Sequence, residues 1–551
     1  MGRVLLTGAT VWAGPACVPS RAWMLVEDGR VAALGEQEPR PPADQVVDLP
    51  GCHLLPGFVD VHLHLSQAAW IPRGGDGWGW RGLAEALRAV QAAGSASPQA
   101  PWLLFWNVAR WSWPEGRLPT SGELDEAAPG RRVLVSSSDL HRGSVSSAGL
   151  EAIGPAQGDL AKVFGEDIAR DRRGRPTGEL WEAAFGVALQ RALTDTAAHA
   201  RDAGTAAVYA AEAGRYLAHG VTHAHDPYLA PDCHAQMAAL RAAGPLRVSW
   251  ATGAPDGILS RPPGPKNAPE GPYGDAGREV KVFADGADRC AITLPLRALP
   301  GLLGAAVSES RRLGGLGPLR ETARRKTIVR PWQMHTPYLR YTDTDLADVM
   351  TAYADAEIRL RIHAFGNRAG AQAARVIRRA GLPAGAATID HLVLLDAATA
   401  EQVAASGASV SYQPGFLQPY GQMLRQVHVD RYATVLGGRM LLDAGIPLAI
   451  SSDHPSGPLD PLHNLRAAVD RRLPGGRTLQ PGQAITPQDA VRAYTTAAAR
   501  SLGAPAGGLA AGEPADFVVC DGDPFAPGTR VTQTWIAGKQ AWPATAAGQP
   551  S

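Results

Sequence analysis

The pattern of apolar and polar positions divides the chain into three regimes. Over residues 1–53, short apolar runs are separated by turn residues. Val4–Thr7, Ala22–Val26, Arg30–Leu34 and Gln45–Leu49 read as strands, with Glu27-Asp28-Gly29 as a hairpin turn. From Leu54 onward, compact apolar runs alternate with helical periodicity. Leu54–His62, Val221–Asp226, Leu246–Ala251, Glu279–Asp285, Arg359–Ala364, Ala387–Leu392, Ala408–Gln413 and Pro447–Asp453 each suit a buried parallel strand. Helical stretches fall at about His199–Ala218, Asp343–Ala356, Ala369–Ala380, Ala397–Ala405 and Asp430–Asp443. This alternation predicts an α/β fold, a (β/α)8 TIM barrel with its chemistry at the C-terminal ends of the strands. After Gly507 the strand pattern returns at Asp516–Cys520 and Val531–Ile536. A β unit at both ends is most simply one small sandwich built from both termini.

Two stretches interrupt the alternation. Residues 66–195, rich in Trp, Gly and Pro, hold a helix near Leu83–Ala93 and a strand at Arg132–Ser137. They read as a subdomain inserted over one end of the barrel. Leu294–Arg330, rich in Arg and Gly, reads as a lid or a solvated loop. The expected layout is sandwich 1–53, barrel 54–490, then the last barrel helix and the rest of the sandwich at 491–551.

Composition narrows the function classes. With 551 residues, 45% apolar, 19% charged and a net charge of +1, the chain is ordinary globular material with no basic excess for nucleic acid. No apolar run approaches the ~20 residues of a membrane span, and the first residues read as a strand rather than a signal peptide. Five scattered cysteines without a CxxC suit reduced thiols in a cytoplasmic protein. Neither GxGxxG after a strand nor GxxxxGK[ST] occurs, so no nucleotide cofactor is expected.

The chemistry gathers at the strand ends. His62 and His64 are two residues apart, so on a strand both imidazoles face one side. Lys281 lies on the fourth strand, His363 on the fifth, His391 on the sixth and Asp453 at the eighth. Four His, one Lys and one Asp near strand ends suit a divalent metal such as zinc, or a pair. Lys281 becomes a ligand only as a carbamate, which would bridge two metals; otherwise it is a structural lysine paired with Asp285 or Asp288. Asp453 reads as ligand and proton acceptor, or as a turn residue before Pro455. His223 and His225 form a rival His-x-His. His335 lies where it could line a pocket, and His454 reads as a supporting or surface residue.

With those residues in view, the chain resembles metal-dependent amidohydrolases, and within them the amidohydrolase-3 or YtcJ-like branch, which includes N-substituted formamide deformylases. The resemblance runs through PGFVDVHLHL, the insertion pattern PTSGELDEAAPGRRVLVSSSDLHRGSVSSAGL, PTGELWEAA, HGVTHAHD, VKVFADGA, HAFGNRA, DHL, SYQPGF, SSDHPSGPLDPL with Arg471, and GGLAAGEPADFVVCDGDPF. It implies the barrel, the split sandwich and a metal centre of one or two ions, with His62, His64, Lys281, His363, His391 and Asp453 as ligands. The implied lysine carbamate belongs to the two-metal case. His141, Glu182, His335 and Gln413 are candidate substrate contacts. The chain departs from the branch at Asn367, where Asp is usual, at Ser146, where Asn is common, and in ADRCAITLP after the fourth strand.

The expected reaction is hydrolysis of a non-peptide C–N bond in an amide, formamide or cyclic amide by metal-activated hydroxide. Asp453 moves the proton, and His363 or His391 assists at the carbonyl. Trp residues of the insertion would wall the pocket. The alternatives are ester hydrolysis, isomerisation or decarboxylation at the same centre, or a non-catalytic scaffold. The expected partner is a small-molecule substrate, with no nucleic acid and no membrane, and a homodimer is the default assembly.

Overall fold

In the computed structural model, described for residues 2–543 except 15, 37, 155–164, 201–203, 231–232, 255–261, 263, 268–277 and 505–506, one eight-stranded parallel sheet forms the centre. Its strands run in sequence order: Phe58–Asp60, Val221–Leu229, Arg247–Thr252, Glu279–Phe283, Arg359–Ala364, Ala387–His391, Ser409–Tyr412 and Leu448–Ile450. Backbone bonds tie the two ends of the sheet together beyond the last strand. Asp453 N–H donates to His62 O (2.7 Å) and His64 N–H to His454 O (2.8 Å). The helices Asp343–Ala354, Asn367–Arg379 and Ala397–Ser406 pack outside, with Leu346, Met350, Ala373, Ile377 and Val403 in the main core.

The apolar run at Leu54–His62 is not one strand. His53–Pro56 belongs to the sandwich, between Thr10–Ala13 and Phe517–Cys520, and the barrel begins at Phe58–Asp60. Gly57 is the joint. Its N–H donates to Asp516 O (2.9 Å), and a Cβ there would stand 2.4 Å from Thr222. The sandwich pairs a four-stranded sheet, all from residues 4–48, with a six-stranded sheet that draws on both chain ends. Between them lie Leu6, Val11, Met24, Val31, Phe517 and Trp535. Asp28 and Gly29 take φ of 47° and 76° at the Trp23–Glu27/Arg30–Gly35 turn, the left-handed pair that a tight hairpin requires.

The interruptions are structured. Within residues 66–195 a six-stranded sheet, the helix Leu83–Ala96 and a separate core (Val90, Phe105, Trp113, Leu124, Val135) form a body of their own. The helix Glu182–His199 continues past its expected edge. Leu294–Arg330 is not an irregular solvated loop. It holds two helices, Leu299–Leu313 and Gly317–Arg324, on a small antiparallel sheet of Thr293–Pro295, Gln333–His335 and Ile328–Arg330. Gly314 and Gly317 mark helix ends, while Gly301 and Gly304 lie within the first helix, and its Leu and Ala fall at helical spacing. The helix expected at His199–Ala218 begins at Thr205, with 201–203 outside the described residues. The helix expected over Asp430–Asp443 is reduced to Gly438–Asp443, preceded by the strand Thr434–Val435, because Gly437-Gly438 interrupts it.

Gly57→Ala forces a methyl group against Thr222 at the joint between the two sheets. The expected loss is about 1–3 kcal/mol of stability, seen as a lower denaturant midpoint with an unchanged slope. An unchanged midpoint would show that the joint has slack.

Candidate metal centre

The first barrel strand ends at Asp60, and His62 and His64 follow in the turn into a short helix at Leu65–Ala68. Both rings converge on one carboxylate oxygen: His62 Nε2 lies 3.3 Å and His64 Nε2 3.2 Å from Asp453 Oδ1. Asp60 fixes this turn. Its buried carboxylate accepts from His62 N–H (3.2 Å), Ser452 N–H (3.1 Å) and the Tyr494 hydroxyl (2.9 Å), joining the first strand end to the eighth.

His391 and His363 stand beside this group. Ring centroids are 4.7 Å apart for His62 and His391, and 4.5 Å for His391 and His363. His391 Nδ1 is held by Gln413 Oε1 (2.9 Å), and Gln413 in turn donates to Ser451 Oγ (2.9 Å). Gln413 is fully buried behind His391 and does not line the cavity. His391 and Asp453 are both left-handed, with φ of 80° and 53°. Such strain in non-glycine residues persists where the surroundings over-determine it, often at functional sites.

Lys281 pairs with neither Asp285 nor Asp288 but with Asp390, inside the barrel. The strand register puts Lys281 beside Arg361 and His363 beside Asp390. Asp390 also receives Arg361 Nη1 (2.9 Å) and lies 3.1 Å from His62 Nδ1. Burial would raise its pKa, but Lys281, His62 and Arg361 hold it well below the usual carboxylate range. Asp285 instead caps backbone N–H groups of Ala291, Phe365 and Gly366, and burial pushes its pKa up to about 7. Asp288 sits between Arg110 and Arg142.

The rival pair resolves differently. His223 Nε2 and His225 Nδ1 both meet Ser249 Oγ at 2.9 Å, and His225 Nε2 lies 2.9 Å from Glu279. Among the described residues, the group of His, Cys, Asp and Glu able to converge on an ion is His62, His64 and Asp453, with ligand atoms within 4.8 Å of one another. His454 is buried, 3.4 Å from Glu212.

His141 comes from the insertion and lies beside His363, ring centroids 5.1 Å apart. Glu182 Oε2 holds its Nδ1 at 2.7 Å, while Glu182 Oε1 accepts from Arg289 N–H (2.9 Å). Glu182 is left-handed (φ 43°), and a Cβ at Gly286 would overlap its carboxylate at 2.1 Å. His335 lines the same cavity from the segment over the barrel. Asn367 anchors that segment: its Oδ1 accepts from Thr293 N–H (2.9 Å), and its Nδ2 donates to Thr293 O (3.0 Å) and Asp396 (2.5 Å). An Asp there would face Asp396 with no hydrogen to offer.

The residues fit a divalent metal. Burial would lower the His64 pKa, but Asp226 and Asp453 push it up to about 9, so this corner attracts positive charge. His363 Nε2 is buried and makes no hydrogen bond, an orphan that a ligand role would satisfy. The oxygen contacts on Nδ1 of His62 and His391 are the outer support that metal-binding imidazoles carry.

Sequence reasoning missed Asp390, Asp60 and Arg361. Strict alternation sets Asp390 and His391 on opposite faces, so a strand that points His391 at the site would turn Asp390 away from it. The acidic residue directly before a strand-end His was the available signal.

Comparison with known proteins accords with this geometry. The model of the amidohydrolase family (Amidohydro_3) matches residues 45–541. An N-substituted formamide deformylase of Arthrobacter pascens is 27% identical, over 91% of this chain and 90% of its own. The putative amidohydrolase YtcJ of Bacillus subtilis is 27% identical over 91% of each. A metal-dependent hydrolase from Pyrococcus horikoshii shares the fold at 19% identity, with a TM-score of 0.64 over 95% of this chain and 98% of that one. The chain belongs to the amidohydrolase family, and it is a metal-dependent hydrolase of carbon–nitrogen bonds other than peptide bonds.

Proposed function

We propose that the protein hydrolyses an amide, formamide or cyclic amide at a zinc centre held by His62, His64 and Asp453 and completed by His363, His391 and Lys281. The observation that carries this reading is the convergence of His62 Nε2 and His64 Nε2 on one oxygen of buried Asp453. The formamide deformylase of Arthrobacter pascens supports the substrate class. An atrazine chlorohydrolase from Arthrobacter aurescens complexed with zinc, alike in fold (14% identity, TM-score 0.50), makes zinc the ion to try first.

Bound there, the metal supplies a nucleophile from water near neutral pH and polarises a carbonyl. Asp453 takes the proton of the attacking water and returns it to the leaving nitrogen. His391, its Nδ1 tied to Gln413, keeps Nε2 for the site, and His141, braced by Glu182, borders the substrate. Lys281 reaches the barrel interior with its side chain 1% exposed. Addition of its amine to carbon dioxide, with loss of one proton, would give a carbamate whose oxygens would serve as metal ligands while its N–H stays available to Asp390. Cys17, Cys52, Cys290 and Cys520 form no disulfide, which supports a reducing, cytoplasmic setting. No described helix is long and apolar enough to cross a membrane.

Asp453→Asn, assayed with saturating zinc on N-alkylformamides, is expected to lower kcat by about 10²–10⁴-fold. Full turnover with metal retained would remove Asp453 from proton transfer. Elemental analysis of protein expressed with zinc and bicarbonate should find about two metals per chain, falling in Lys281→Ala. About one metal, unchanged in the variant, would leave Lys281 a structural partner of Asp390.

A further inference from the structure

A cavity of about 320 Å³ opens onto the metal ligands, at the small end of ligand pockets. Its floor is polar: His363 and His391 are 2% and 4% exposed, with Asp453 and His141 beside them. Its walls are apolar. Leu299, Leu302 and Ala306 come from the helix Leu299–Leu313, Met334 from the sheet beneath that helix, and Met423 from the segment after the seventh barrel strand. Two lining residues, Leu303 and Val427, are 45% and 38% exposed and mark the lip. The cavity thus runs from a buried polar floor to an apolar mouth.

The charged residues on its wall face partners: Arg325 faces Asp288 and Glu321, Glu309 pairs with Arg312, and Asp139 accepts from Ser137 Oγ and His141 N–H. Arg110 pairs with Asp288, which also lies 3.4 Å from Arg142. Glu321 on the second overlying helix meets Arg142 at 2.9 Å and Arg110 at 3.9 Å. These contacts fasten that helix to the insertion and leave no unmatched charge among them to select an ionic substituent. A charged arm would lose hydration without gaining a partner.

We infer that the substrate carries an uncharged, elongated apolar arm, which lies along the helix Leu299–Leu313 while the scissile group rests on the floor. The inference rests on the proposed reaction for the floor alone. Along the walls the arm is selected by removal of its methylenes from water, a gain of about threefold to fourfold in affinity per group.

The test is calorimetric titration of full-length Asp453→Asn protein with N-butyl-, N-hexyl- and N-octylformamide, beside wild-type rates on the same series. Affinity should climb about threefold per methylene. Ala306→Trp, which fills the channel, should flatten the climb. Should that variant fail to fold, Leu302→Asn serves, by removing apolar wall. A flat series in the parent protein overturns the inference, as does a climb that survives both substitutions. Tighter binding of N-(6-aminohexyl)formamide than of N-hexylformamide overturns it too. A climbing series with no wild-type hydrolysis supports the arm and sinks the proposed reaction. Hydrolysis indifferent to chain length does the reverse.

Discussion

The Asp390 carboxylate is the interaction on which the centre depends. It is buried inside the barrel, where an isolated charge is untenable, and is held ionised by Arg361 and the His62 ring, and by Lys281 while its amine is unmodified. Glu279 receives the other side of Arg361 (3.3 Å), so two bases and two acids balance within the barrel. This network orients His62 and keeps Lys281 pointed inward. Removal of Asp390 leaves Lys281 without its carboxylate partner inside the barrel.

Above that network, three separate parts of the chain meet. The strand ends bring His62, His64, His363, His391 and Asp453. The insertion brings His141, braced by a strained Glu182 that fits only because residue 286 has no side chain. The segment over the barrel brings apolar helix wall, pinned at its base by Asn367 and at its far side by Glu321. Each attachment is a polar contact, largely sheltered from solvent, with a defined geometry. The cavity therefore has a fixed polar floor under a largely apolar roof.

Much of this was legible in the amino-acid order. The eight barrel strands, the split sandwich and the Asp28-Gly29 hairpin follow from apolar runs and turn residues, because burial and backbone sterics act locally. The pairing of His62 with His64 was also visible, although they meet in the turn after Asp60 rather than by strand alternation. Where the pattern misled, longer-range contacts decided: the run at Leu54–His62 is divided between two sheets at Gly57, and Leu294–Arg330 folds as helices because the barrel mouth offers its leucines a surface to cover.

The sequence by itself determined the fold class, the order of the strands and the candidate ligands, since each is written in local periodicity and residue chemistry. Only the tertiary structure decided which carboxylate Lys281 meets, that His223 and His225 clasp Ser249, and that His141 reaches the centre from outside the barrel. Those outcomes depend on register between strands distant in sequence and on backbone turned left-handed at Glu182, His391 and Asp453. Neither leaves a mark in the periodicity of the chain, because both are set by which distant residues compete for the same buried space.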